Sequence, residues 1–153
     1  MSLIPERETL TVEFKSDRKK LSDSELLDEV VGFANTNGGT IYVGVEDNGN
    51  VTGVCKEHQD SIGVAALIAN RTVPSVYVQA DVIEVNNENL KLPILVISVP
   101  QSRSVIASAN GKIMRRRLKL DGTPEVVPMF PHEISTRLSE LRLLDYSAQV
   151  LST

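Results

Sequence analysis

Glu13 and Lys15 stand two residues apart in a stretch where Leu10, Val12 and Phe14 alternate with Thr11, Glu13 and Lys15. A period of two is the mark of a strand with one wet face, so the carboxylate and the ammonium point the same way. Such a pair serves either as an exposed ion pair or as part of a site that meets phosphate. Two groups of basic residues offer further phosphate contacts: Arg18, Lys19 and Lys20 directly after this strand, and Lys112, Arg115, Arg116, Arg117 and Lys119 later in the chain. In an extended segment Arg115 and Arg117 face one side and Arg116 the other. Two arginines about 7 Å apart match neighbouring phosphates of a nucleic-acid backbone. They match equally the charged edge strand that guards a sheet against aggregation. Cys55 has no base candidate beside it and reads as a buried, inert thiol, while His58 and His132 sit in separate polar contexts and read as surface or capping residues.

The elements that must position these groups follow from periodicity and turn chemistry. Ser16 to Lys20 is a charged connection, after which Ser22 or Asp23 caps a helix with Leu26, Leu27, Val30, Val31 and Ala34 at helical spacing. Asn35-Thr36-Asn37-Gly38-Gly39 ends that helix, because Asn and Gly supply left-handed backbone at low steric cost. These glycines follow a helix rather than open one, so the segment is not a P-loop; it shapes the fold and leaves Asn and Thr side chains for contacts. Thr40 to Val45 is a strand, expected to form a hairpin with Val51 to Val54 across Glu46 to Asn50. Asp60 precedes a second helix that Pro74 closes. Val76 to Val82 and Leu90 to Val99 form a longer hairpin, and a third is expected around Asn110-Gly111. Pro131 opens a last helix with the stripe Leu138, Leu141 and Leu144. The order predicts an α+β fold, a mixed sheet with packed helices in a two-layer sandwich, with two core helices and an extra C-terminal helix.

Composition narrows the function classes. At 153 residues, 41% hydrophobic and 24% charged, the chain suffices for one buried core. A formal net charge of -4 excludes a general polyanion binder and confines any nucleic-acid role to a local basic patch. One cysteine excludes an internal disulfide and a multi-cysteine metal site, and fits a cytoplasmic location. No apolar run approaches the roughly 20 residues of a membrane span, and the N-terminus has no signal-peptide pattern, so no membrane partner is expected.

Taken together, Glu8, Glu13-Phe14-Lys15, the Ala-Asn-Thr-x-Gly-Gly run at Ala34 to Gly39, Gly44-Val45, the turn with Asp47, Gly49 and Gly53, Pro74, and the arginine-bearing strand after Met114 form a specific pattern. It resembles the Schlafen-type Alba-like domain (AlbA_2), described as a DNA-binding domain at the N-terminus of prokaryotic transcriptional regulators. Members commonly carry a single arginine where this chain has Arg115-Arg116-Arg117.

The resemblance implies an Alba/Schlafen-like domain over residues 6–125 and a C-terminal helical extension over 126–153, leading to an additional domain of a longer chain. It implies a nucleic-acid-binding module of a transcriptional regulator, contacting the phosphate backbone of DNA or RNA through Lys15, Arg18, Lys19, Lys20, Lys112, Arg115, Arg116 and Arg117, with no cofactor required. Some Schlafen relatives are RNA endonucleases, and the alternative the resemblance implies is that activity, with Glu8, Glu13 and Asp47 holding Mg or Mn and Lys15 beside them. A second alternative is a homo-oligomerisation module that pairs through a sheet edge or the Leu138, Leu141 and Leu144 stripe.

Overall fold

A computed structural model of the chain describes residues 4–151. In chain order the elements are β1 (Val12–Lys15), α1 (Asp23–Ala34), β2 (Gly39–Val43), a 3-10 turn (Lys56–Gln59), α2 (Ser61–Asn70), β3 (Thr72–Val73), β4 (Gln79–Asn87), β5 (Leu90–Val99), β6 (Ala107–Ser108), β7 (Met114–Leu118), β8 (Pro124–Pro128) and α3 (Pro131–Leu151). The fold is α+β, with α1 and α2 on the core and α3 as the C-terminal helix.

The main sheet has the order β1-β2-β5-β4. β1 runs parallel to β2, with Glu13 opposite Ile41 and Lys15 opposite Val43, and β2 and β4 both run antiparallel to β5. A parallel pair needs a crossover, and α1 supplies it, so the helix lies on the sheet face toward which Glu13 and Lys15 point. Ser22 caps α1 by accepting a hydrogen bond from the Glu25 N–H at 3.1 Å. At the other end Gly38, with φ 70, turns the chain back, and its N–H donates to the Phe33 carbonyl at 2.8 Å. A Cβ at Gly38 would stand 2.8 Å from both Gln101 N and Val99 O, so the site demands glycine for space as well as conformation.

Leu26, Val30, Val31 and Phe33 of α1 pack with Ile41, Val43, Leu95 and Ile97 of the sheet and Ile68 of α2. Each such side chain contributes roughly 1.5–3 kcal/mol when fully buried. The β7–β8 hairpin covers α1 from the opposite side. Gly32 permits that approach, since a Cβ there would meet Val126 Cγ2 at 2.7 Å. Because α1 is covered on two sides, Glu29 in its middle is buried. Phe14, Val45, Val51, Ile94 and Ile4 form a smaller cluster on the other sheet face.

Three expectations change. Val51 to Val54 is not a strand paired with β2, whose edges are already occupied by β1 and β5; the 46–50 turn closes only a bridge between Val45 and Val51. α2 ends at Asn70, and Thr72–Val73 pairs with β6 before Pro74 is reached. The Asn110-Gly111 turn forms, yet the arginine strand β7 pairs with β8 across Asp121-Gly122 instead of with β6. β8 thereby runs across the boundary expected at residue 125. In α3, Leu141 is buried while Leu138 and Leu144 are exposed, so the leucine stripe is split. No helix among the described residues is long and apolar enough to cross a membrane.

Candidate functional site

The turn after α1 sets the position of β7. Asn35 is buried; its Nδ2 donates to the carbonyls of Ile106 and Met114 at 2.8 and 2.9 Å, and its Oδ1 accepts from the Ile106 N–H at 2.8 Å. Thr36 Oγ1 donates to the Gly32 carbonyl at 2.7 Å and accepts from the Arg116 N–H at 2.9 Å. The side chains of Asn35 and Thr36 are therefore consumed by the fold and are not left for a ligand.

So placed, Arg116 reaches inward. Its Nη1 donates to Glu13 Oε2 at 3.0 Å and Glu29 Oε2 at 2.9 Å, its Nε to the Leu10 carbonyl at 2.9 Å, and its Nη2 to the Thr9 carbonyl at 2.9 Å. The guanidinium carbon lies 4.0 Å from the Phe33 ring centroid, a cation–π contact. Arg116 thus fastens the outer edge of β1 to α1. The expectation that it contacts phosphate is corrected: its side chain is enclosed and its donors are spent on internal acceptors.

Around Arg116 lies a charged cluster of β1 and α1. Lys15 Nζ stands 3.3 Å from Glu29 Oε1, 3.4 Å from Glu25 Oε1 and 3.9 Å from Glu13 Oε1. Glu8 joins from outside the strand, its Oε1 accepting the Phe14 N–H at 3.1 Å. Glu8, Glu13, Glu25 and Glu29 surround Lys15 and Arg116, so carboxylates outnumber cations in the cluster. Burial, followed by the charges of Glu29 and Glu8, outweighs Arg116 and Lys15 and pushes the Glu13 pKa up to about 8. Burial raises Glu29 as well. Burial alone would lower Lys15, but Glu29, Glu13 and Glu25 outweigh it and raise its affinity for the proton.

Glu29 was absent from the residues singled out in the sequence, although a signal exists: it stands three residues after Leu26 and four before Phe33, within the buried stripe of α1. Asp47, by contrast, is exposed on its turn, which lies beside Glu6, a Cβ at Gly49 standing 3.6 Å from the Glu6 carbonyl. Among the described residues, the trio of His, Cys, Asp or Glu ligand atoms lying within 4.8 Å of one another is Asp17, Cys55 and His58; Glu8, Glu13 and Asp47 form no such trio. As arranged, these three carboxylates do not fit a shared Mg or Mn ion, and no catalytic step is derived from them.

Three of the remaining basic candidates are already paired. Lys112 Nζ is 3.4 Å from Asp28 Oδ2, Arg117 Nε is 2.6 Å from Glu125 Oε1, and Arg115 Nε pairs with Glu133. Arg117 and Lys112 are exposed, Arg115 half-buried. Arg18, Lys19 and Lys20 are exposed and enter none of the ion pairs of the described residues.

The connection bearing those three is anchored by Asp17, whose side chain is enclosed. Its Oδ1 accepts the Leu21 N–H at 2.7 Å, and its Oδ2 accepts both the Cys55 N–H and the His58 Nδ1–H at 2.8 Å. Burial raises the Asp17 pKa, but these hydrogen bonds prevail and hold it below the ordinary carboxylate value, so Asp17 is the acceptor and His58 carries its proton on Nδ1. Cys55 Sγ is 3.5 Å from that same nitrogen. Two sequence expectations are thereby corrected: His58 is buried rather than at the surface, and Cys55 has an imidazole beside it, the near nitrogen of which donates to Asp17. The Cys-x-x-His spacing was the available signal.

A family model described as Schlafen, AlbA_2 matches residues 8–121. Among solved structures, the chain is similar to the DIP2311 protein from Corynebacterium diphtheriae, with a TM-score of 0.57 and 22% identity over 78% of this chain. The chain spans 25% of the length of that protein, and the likeness is one of fold. No curated protein matches the chain. The matched span runs from Glu8 through the turn that seats Arg116 to the end of the arginine strand, and on that ground the chain belongs to the Schlafen, AlbA_2 family.

Proposed function

We propose that this chain is a nucleic-acid-binding domain of a transcriptional regulator and that it holds the phosphate backbone of DNA or RNA through the connection Arg18-Lys19-Lys20. The observation that carries this reading is the division of the cations. Lys15, Lys112, Arg115, Arg116 and Arg117 are each held by carboxylates, whereas Arg18, Lys19 and Lys20 stand together, exposed and outside those pairs. A phosphate approaching this loop breaks no ion pair of the described residues, and only Lys20 shares its charge with a neighbouring carboxylate, Glu57. With no Trp, three Tyr and three Phe in the chain, base stacking contributes little, and backbone contacts give weak sequence preference.

Fluorescence anisotropy with labelled duplex DNA and with RNA at low salt tests the reading. Binding that weakens on replacing Arg18, Lys19 and Lys20 together by Ala supports it; absence of binding to either nucleic acid overturns it. Incubation of RNA with the protein and Mn²⁺ covers the nuclease alternative. Cleavage that disappears in Glu13→Gln assigns that chemistry to the Glu8 and Glu13 cluster instead.

A further inference from the structure

We propose that Asp17 Oδ2, Cys55 Sγ and His58 Nδ1 form a site for one divalent transition-metal ion of zinc type. The three donor atoms lie within 4.8 Å of one another. From Zn–S and Zn–N bonds of about 2.3 and 2.0–2.1 Å, a tetrahedral angle places sulfur and nitrogen about 3.5 Å apart. Cys55 Sγ and His58 Nδ1 are already 3.5 Å apart. His58 Nδ1 and Asp17 Oδ2 are 2.8 Å apart, a hydrogen-bond distance, and must open by about 0.5 Å to share an ion.

The charges also close. A carboxylate, a thiolate and a neutral imidazole balance a divalent cation, so an ion among these largely buried groups leaves no net charge in a medium that penalises one. Sulfur and imidazole nitrogen favour zinc-type ions over Mg²⁺ or Ca²⁺. On binding, the thiol proton leaves to solvent and the imidazole changes tautomer, its proton passing through solvent from Nδ1 to Nε2; a Zn–S bond and a Zn–N bond replace the two hydrogens. The supporting shell is already in place, because the Leu21 and Cys55 N–H groups orient the Asp17 carboxylate at 2.7 and 2.8 Å. Three protein ligands leave a fourth position for water. The ion ties the connection after β1 to the 3-10 turn, immediately before the exposed Arg18.

Titration of the metal-free chain with Co²⁺ and then Zn²⁺ alone tests the site. Expected are about one equivalent bound, a thiolate-to-cobalt charge-transfer band with intense tetrahedral ligand-field absorption, and displacement of the cobalt by zinc. Cys55→Ser removes the band and weakens zinc binding at least ~100-fold, while Glu13→Gln leaves both unchanged. Circular dichroism reports whether Cys55→Ser remains folded. If it does not, the cobalt spectrum of the unaltered chain decides alone. Absence of the charge-transfer band, or zinc affinity equal in folded Cys55→Ser, overturns the proposal. None of these readouts involves nucleic acid, so the site and the binding function stand or fall separately.

Discussion

Glu13 and Arg116 are 103 residues apart in the chain, and their side chains meet at 3.0 Å in the interior. Glu13 belongs to the edge strand β1 and Arg116 to the hairpin that covers α1, so this contact and its twin to Glu29 join three elements that share no sheet. The same guanidinium caps the Leu10 and Thr9 carbonyls. Along the outer edge of β1 itself, Glu8 accepts the Phe14 N–H and Arg116 reaches the Val12 carbonyl, so side chains cover part of the edge where a further strand would pair.

Removing the cation from this network leaves buried carboxylates and carbonyls without a partner. Arg116→Met is expected to destabilise the fold by about 3–5 kcal/mol. Urea unfolding monitored by circular dichroism checks this through the midpoint shift. A loss under about 1 kcal/mol would show that the network relaxes around the vacancy.

Stability should depend on pH in a direction opposite to that of an ordinary salt-bridged carboxylate. Glu13 rises from 4.5 to about 8 on folding, so between these values the folded chain binds more protons than the unfolded chain. Its contribution is complete below about 4.5 and is lost as pH rises toward about 8. Glu29, raised by burial, acts in the same direction. Denaturation at a series of pH values should show stability declining across this window and the decline flattening in Glu13→Gln. A wild-type curve that rises through the window contradicts the assignment.

Asn35→Ala deprives the Ile106 N–H and two carbonyls of their buried partner, a loss expected to be about 2–4 kcal/mol. Since Asn35 sets the entry into β7, hydrogen exchange should accelerate there before it does in β5. Uniform acceleration across both strands would place the role of Asn35 elsewhere.

Nucleic-acid affinity should separate the two groups of basic residues. Each phosphate contact contributes about 0.9 to the slope of log affinity against log salt on duplex DNA. Arg18, Lys19 and Lys20 replaced by Ala should flatten that slope by up to about 2–3, whereas Arg115 and Arg117 replaced by Ala, already paired with Glu133 and Glu125, should alter it by less than about 1. The reverse ranking returns the interface to β7.

Local chemistry made much of this fold legible without coordinates. Of the two cap candidates Ser22 capped the helix, the run from Asn35 to Gly39 ended it, the alternation around Glu13 and Lys15 gave a strand with both groups on one face, though that face is packed under α1 and not wet, and Leu90 to Val99 emerged as a strand buried at Ile94, Leu95, Ile97 and Val99. All of these depend on neighbours within a few residues, where backbone preference and side-chain period act directly. The split parity of Arg115, Arg116 and Arg117 was readable for the same reason. What parity could not tell was which side is the interior. That required β7 to be laid on α1, and it turned the middle arginine of a basic run into the centre of a buried ion network.

The tertiary structure alone decided which charges are free. Glu29 enters the cluster because α1 is covered from two sides, Asp47 stays at the surface because its turn ends in an isolated bridge, and Asp17 meets Cys55 and His58 across 38 and 41 residues. The sequence by itself determined the residue types, the elements and the family pattern. Long-range packing determined the partners, because an ion pair or hydrogen bond depends on distances of a few ångströms between segments whose separation along the chain carries no such information.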